Sequence, residues 1–241
     1  VLSYVKPEEI PKIAEFMDKC QMTVIKSDSG KLLDIDLHMY SGTDSVRLRI
    51  CDNHTNIVLI EKNGEVLFKK DPDDGESGET DRSVLNVRDI LDFAQSVRLE
   101  DVSDMLGRQI EYNLAISEEG LRGNYGASIG KTLLETRGND VRVRARAQAA
   151  AGSDARMSGC ELPVVIVSGS GNQGMTASLP VIVYALDMHA DREQLLRALV
   201  VSNLVTIHQK TPIGRLSAFC GAVSAGCGAA AGVAWLLDGT Y

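Results

Sequence analysis

The chain has 241 residues, which is enough for one large domain or two small ones with a sizeable hydrophobic core. A hydrophobic content of 44% and a charged content of 24% are ordinary for a soluble globular protein. The net charge of -8 argues against nucleic acid or an anionic membrane surface as a partner, because both would repel the protein.

The number and spacing of the cysteines indicate the redox compartment of the protein. The five cysteines are an odd number and are widely spaced, and no recognisable secretory signal precedes them. This pattern does not suit a disulfide framework, so we expect a reducing, cytoplasmic environment. The five are Cys20, Cys51, Cys160, Cys220 and Cys227.

The first part of the chain, residues 1–75, is predicted to be an incomplete α+β domain. Residues 7–19 have apolar side chains at helical spacing, and the runs that follow alternate with a period of two. Asn63 and Gly64 separate the last two runs and are a strong signal for a two-residue hairpin turn. The predicted strands are residues 33–40, 45–50, 56–62 and 65–68.

An acidic, Gly-rich segment at residues 71–81 predicts a linker, and beyond it the apolar period changes to the helical one. Residues 76–241 are therefore predicted to be all-helical and truncated at the C-terminal end. We expect Pro180 in the first turn of its helix and a capping box between Asp191 and Gln194. The predicted helices are residues 87–97, 102–116, 176–188, 191–208 and 216–237.

The last of these helices is uncharged and long enough to cross a bilayer. Its interior, however, is made of Gly, Ala and Ser, which favour insertion far less than Leu or Ile. Small side chains instead let neighbouring backbones approach closely. We therefore predict a buried central helix and no membrane partner.

Residues 168–174 (SGSGNQG) are the most informative local motif. They follow an apolar run and precede a helix, so exposed N–H groups at the helix start suit a carboxylate. Asn172 and Gln173 add side-chain amides. The alternative interpretation is a Gly-rich connector without a ligand. A second Gly-rich segment, residues 126–132, lacks the spacing of a phosphate-binding loop.

Two further segments have a functional and a structural interpretation. Arg156 could form a forked pair with a substrate carboxylate, or it could form a structural salt bridge with Asp154 or a neighbouring residue. His54 and Asn56 stand at the start of a predicted strand, where a histidine is more often a surface or capping residue.

Together these segments resemble a bacterial family described as serine-dehydratase-alpha-like, which includes L-cysteine desulfidases. The resemblance rests on residues 153–157 (SDARM), 168–180 (SGSGNQGMTASLP) and 215–222 (RLSAFCGA). Residues 51–58 (CDNHTNIV) and 119–126 (EGLRGNYG) also look like that family. A fainter likeness extends to L-serine dehydratases.

The resemblance implies a [4Fe-4S] cluster held by three cysteines, with one open iron acting as a Lewis acid on L-cysteine or L-serine. A protein base would take the α-proton, and the resulting enamine would hydrolyse to pyruvate and ammonia. Cys220 matches the first cluster cysteine, whereas Cys227 matches no ligand position. The expected substrate-binding residues are Ser170, Gly171, Asn172, Gln173, Arg156, Asp154, His54 and Asn56.

Two features of the family are missing from this sequence. In the family, a Gly-Cys-Thr-Glu-Pro segment precedes the matching region, and its cysteine looks like the base. Two further cluster cysteines follow the matching region. We therefore expect a fragment that is cluster-free and inactive alone. We also expect it to associate with the missing segments or form a homo-oligomer. The alternative function is a non-catalytic module that binds a small amino acid or serves assembly.

Overall fold

The computed structural model describes residues 5–31, 33–53, 55–71, 80–214 and 219–238. They form two compact units, one comprising Pro7–Asp81 and the other containing all helices that follow it. The predicted fold class is confirmed, because an antiparallel sheet in the first part is followed by a helical region.

Among its described residues, the smaller unit contains one helix and a four-stranded antiparallel meander in which each strand pairs with the next one along the chain. The predicted hairpin turn is present, and Asn63 and Gly64 have φ angles of 51° and 82°. Positive φ at both central residues is the geometry that favours Asn-Gly. The elements are α1 (Ile10–Lys19), β1 (Asp34–Ser41), β2 (Asp44–Cys51), β3 (Ile57–Lys62) and β4 (Glu65–Lys69).

The helical unit contains more helix than the sequence pattern predicts. Two of its helices, α4 (Ile129–Arg137) and α5 (Val141–Met157), lie where the sequence pattern predicts no helix. The start of α5 reads VRVRARA, which alternates with a period of two, and its buried side consists mainly of alanine. The helices are α2 (Val87–Ser96), α3 (Leu99–Arg122), α4 (Ile129–Arg137), α5 (Val141–Met157), α6 (Gly171–Asp187), α7 (Arg192–Lys210) and α8 (Ala222–Asp238), and a 3-10 turn (Thr211–Ile213) follows α7.

Helix α6 is enclosed by α3, α5, α7 and α8. It begins at Gly171 and not at Thr176, so the prediction that Pro180 lies in its first turn is wrong. Pro180 lies in the helix interior instead. The prediction failed because the first turn of α6 consists of glycine and amide residues, and the apolar pattern starts only at Met175.

Helix α8 packs closely on α7 through small residues. A Cβ atom on Gly228 would lie 2.1 Å from Thr206 Oγ1, and one on Gly232 would lie 2.8 Å from the carbonyl oxygen of Ala198. The opposite side of α8 is exposed in the part of the chain that the structure describes; it carries Val223, Gly226, Cys227, Ala230, Ala234 and Leu237. No helix among the described residues has both the length and the apolarity required to cross a bilayer.

Candidate functional site at the start of helix α6

A tight turn leads the chain into α6. Val167 and Ser170 exchange two backbone hydrogen bonds, each 3.2 Å long. Between them Ser168 and Gly169 have φ angles of 49° and 87°, as in a type I′ turn. The turn delivers Ser170 to the N-cap position, where its carbonyl oxygen accepts the first helical hydrogen bond from Gly174 N–H at 3.1 Å.

A buried asparagine of α3 anchors the segment before this turn. Asn113 is fully buried, and its Oδ1 accepts a hydrogen bond from Val165 N–H at 2.9 Å. Its Nδ2 donates to Ser178 Oγ of α6 at 2.9 Å. The sequence motifs did not indicate a role for this residue. The available signal was the recurrence of polar Gln109, Asn113 and Ser117 every four residues along one side of α3, where each is buried.

Ser170, the N-cap residue of α6, makes no side-chain capping bond within the described ranges. Among the described residues, no acceptor bonds the backbone N–H groups of Gly171, Asn172 and Gln173. Free N–H groups and the helix dipole make such an end attractive to an anion. The structure thus brings four predicted residues, Ser170 to Gln173, to one helix end.

Arg156 reaches this helix end from the last turn of α5. Its guanidinium lies across Gly171, where a Cβ atom would be only 2.4 Å from Arg156 Nε. Its Nη1 donates to Asn172 Oδ1 at 3.2 Å. No carboxylate in the described ranges forms an ion pair with Arg156. A guanidinium beside unbonded helix N–H groups is an arrangement that suits a carboxylate.

The side chain of Gln173 connects α6 to the segment before α8. Its amide packs on Gly221, where a Cβ atom would lie 2.1 Å from Gln173 Cδ. Gln173 is only 6% exposed, and its Oε1 has no hydrogen-bond partner in the part of the chain that the structure describes. Gly221 directly follows Cys220, which is exposed. The structure therefore places the cysteine-bearing segment next to the first turn of α6.

Asp154 does not pair with Arg156. Its Oδ2 accepts a hydrogen bond from Ile129 N–H at 2.8 Å, at the start of α4. Ser128, the N-cap residue of that helix, makes no side-chain capping bond, so Asp154 caps α4 from a neighbouring helix. The structural alternative of an Asp154–Arg156 salt bridge is wrong. A direct role for Asp154 toward a ligand stays a prediction.

The other two predicted substrate residues belong to the smaller unit. Asn56 Nδ2 donates to the carbonyl oxygen of Cys51 at 3.0 Å, which closes the connection between β2 and β3. His54 lies outside the described residues. Their roles toward a substrate stay predictions.

The cysteines do not form a complete metal site by themselves. Within the described ranges, no three His, Cys, Asp or Glu side chains come close enough to hold a metal ion. Burial, together with a contact to Asp34, raises the pKa of the Cys51 thiol. A four-iron cluster requires several thiolate ligands. Because no three such ligands come together in the described ranges, these residues do not fit a whole cluster.

The fold is a helical domain preceded in sequence by a small antiparallel sheet, and the candidate site combines the Arg156 guanidinium with helix N–H groups that have no acceptor among the described residues. Residues 3–241 match the family model for the serine dehydratase alpha chain. The chain belongs to this family, as its motifs predicted.

The chain is also similar to three UPF0597 proteins. It is 56% identical to one from Desulfitobacterium hafniense, with 100% of the chain and 56% of the relative aligned. It is 48% identical to one from Lachnoclostridium phytofermentans (99% and 57% aligned). It is 45% identical to one from Treponema denticola (100% and 58% aligned). The chain thus spans somewhat more than half the length of these relatives. No solved structure matches it.

Proposed function

We propose that this chain is the substrate-binding part of a lyase that acts on L-serine or L-cysteine. The reaction removes water or hydrogen sulfide by β-elimination, and hydrolysis of the enamine gives pyruvate and ammonia. Membership of the serine dehydratase alpha chain family supports this class of activity. The identity of the substrate and the chemistry are our proposal.

The observation that carries the proposal is the arginine at the start of α6. Arg156 contacts Gly171 and Asn172, and no described carboxylate neutralises it. Both candidate substrates have an α-carboxylate, which fits between a guanidinium and helix N–H groups. In this role Arg156 and the first turn of α6 bind and orient the substrate, while Asn113 holds the preceding segment in place.

We propose in addition that Cys220 contributes one thiolate to an iron–sulfur centre. The exposure of Cys220 supports this, because a ligand to a shared centre has to be accessible. Its neighbour Gly221 contacts Gln173 of the first turn of α6, and this contact supports a ligand from this segment close to the proposed carboxylate site. The remaining ligands would come from outside the described residues.

The test is an assay of the intact gene product, purified without oxygen. We expect bound iron and sulfide, and pyruvate formation from L-cysteine, L-serine or both. Iron content in Cys220→Ser should fall well below that of the wild type. Cys227→Ser is the matched control, because Cys227 is also an exposed cysteine near the start of α8, and it should retain its iron.

Two outcomes contradict the proposal. Equal iron content in Cys220→Ser and the wild type would remove Cys220 from the ligand set. Binding of either amino acid without any pyruvate from either would instead favour a non-catalytic binding module.

A further inference from the structure

We infer that Gln173 makes this site selective for α-amino acids, by accepting a hydrogen bond from the substrate's ammonium group. The inference rests on the proposed function, because it assigns a second contact to the same substrate.

The first observation is an unsatisfied acceptor. Gln173 Oε1 and Trp235 Nε1 are the buried side-chain nitrogen or oxygen atoms that lack a hydrogen-bond partner within the described residues. Buried polar atoms are nearly always paired, because leaving one unpaired costs free energy. Gln173 lies in the first turn of α6, directly after the residue that Arg156 contacts. Its missing partner is therefore expected at the site.

The second observation is that the acceptor is held in place. The amide of Gln173 occupies the space where any side chain at position 221 would project, with its Cδ, Nε2 and Oε1 within 2.1–2.5 Å of a Cβ atom on Gly221. Glycine at this position lets the amide lie flat against the backbone beside Cys220. An acceptor that packing holds in place and leaves unpaired loses little conformational freedom when a donor binds to it.

The third observation is the arrangement of donors and acceptors. Arg156 and the N–H groups of Gly171, Asn172 and Gln173 are donors, which match a carboxylate. Asn172 Oδ1 is already used by Arg156. Gln173 Oε1 is thus the unpaired acceptor of the first turn, and an α-amino acid presents an ammonium donor close to its carboxylate. Donors alone would bind any small carboxylate, whereas this acceptor distinguishes an amino acid from its deaminated analogue.

The test compares L-serine with 3-hydroxypropanoate, which lacks only the amino group. Binding of each to the intact gene product is measured by isothermal titration calorimetry. We expect wild-type protein to prefer L-serine by about 100-fold or more, because a site built for an N–H donor rejects analogues that lack it. In Gln173→Met, which removes the acceptor at similar size, the preference should fall at least tenfold while affinity for 3-hydroxypropanoate is kept.

Three controls accompany this comparison. Gln95→Met makes the same exchange at an exposed position of α2 and should keep the wild-type preference. Gln173→Glu retains an oxygen acceptor and should also keep the wild-type preference for L-serine. In the absence of ligand, Gln173→Met should melt no lower than the wild type, because it removes a buried unpaired acceptor.

The outcomes separate this inference from the proposed function. A wild-type preference that persists in Gln173→Met contradicts the role of Gln173 and leaves the lyase proposal standing. A wild-type protein that binds and converts neither L-serine nor L-cysteine contradicts both.

Discussion

Replacing Arg156 with methionine is expected to weaken the binding of L-serine by about 10- to 100-fold, the range for losing a hydrogen bond between charged groups. The guanidinium lies across Gly171 and bonds Asn172, so its charge is positioned at the end of α6. Methionine keeps part of the aliphatic packing and removes the charge. Isothermal titration calorimetry measures the change.

The stability of Arg156→Met separates a binding role from a structural one. The end of α5 favours a cation and the start of α6 disfavours it, so the two helix dipoles oppose each other at this position. Because no described ion pair is lost, we expect the free energy of unfolding to change by less than about 1 kcal/mol. Arg146→Met, at an exposed position of the same helix, is the control and should bind L-serine normally. Unchanged binding in Arg156→Met would contradict the proposed site.

Gly228→Ala is expected to destabilise the helical unit by about 1–3 kcal/mol, the range for overpacking a well-packed interior. Its new methyl group would lie 2.1 Å from Thr206 Oγ1 and 2.4 Å from the carbonyl oxygen of Ser202. The second contact is with the backbone of α7, so a side-chain rotation cannot relieve it. Helix α8 would have to move away from α7. Thermal denaturation, monitored by circular dichroism, measures the loss.

Gly226→Ala is the matched control, because it makes the same exchange half a turn away on the exposed side of α8. No described atom lies within 4 Å of a Cβ atom there. Alanine favours a helix over glycine by about 1 kcal/mol, so this variant should melt at or above the wild-type temperature. Equal destabilisation by both variants would contradict the orientation of α8.

Local signals in the sequence predicted much of the fold. Asn63 and Gly64 specify their turn by themselves, because the turn needs positive φ at two adjacent residues. The capping box of α7 is also local: Asp191 Oδ1 accepts from Gln194 N–H at 2.8 Å, and Gln194 Oε1 accepts from Asp191 N–H at 2.9 Å. Both predictions are confirmed because all participating groups lie within four residues.

The parts that failed depend on packing between distant segments. Helix α5 buries alanines and its arginines alternate, so no apolar stripe marks it as a helix. Without that helix, Asp154 and Arg156 look like natural partners. Residues two apart on a helix point in different directions. Asp154 accordingly accepts a hydrogen bond at the start of α4, whereas Arg156 donates one at the start of α6.

In the candidate site, too, local features could be predicted from the sequence and contacts between distant segments could not. Its residue types could be predicted, because a glycine-rich turn with two amides before a helix is a local anion-binding signal. Its assembly could not, because Gln173 meets Gly221 through the packing of α6 and α8, and Asn113 reaches the turn from α3. A buried acceptor without a partner is a property of the folded chain only.

The most direct test of the account is a titration with L-serine followed by nuclear magnetic resonance of the backbone amides. If a carboxylate binds at the start of α6, the amide signals of Gly171, Asn172 and Gln173 should shift more than any others, together with Arg156 Nε–H. In Arg156→Met these shifts should need a much higher L-serine concentration. Shifts that are largest in the unit Pro7–Asp81, or absent throughout, would contradict the account.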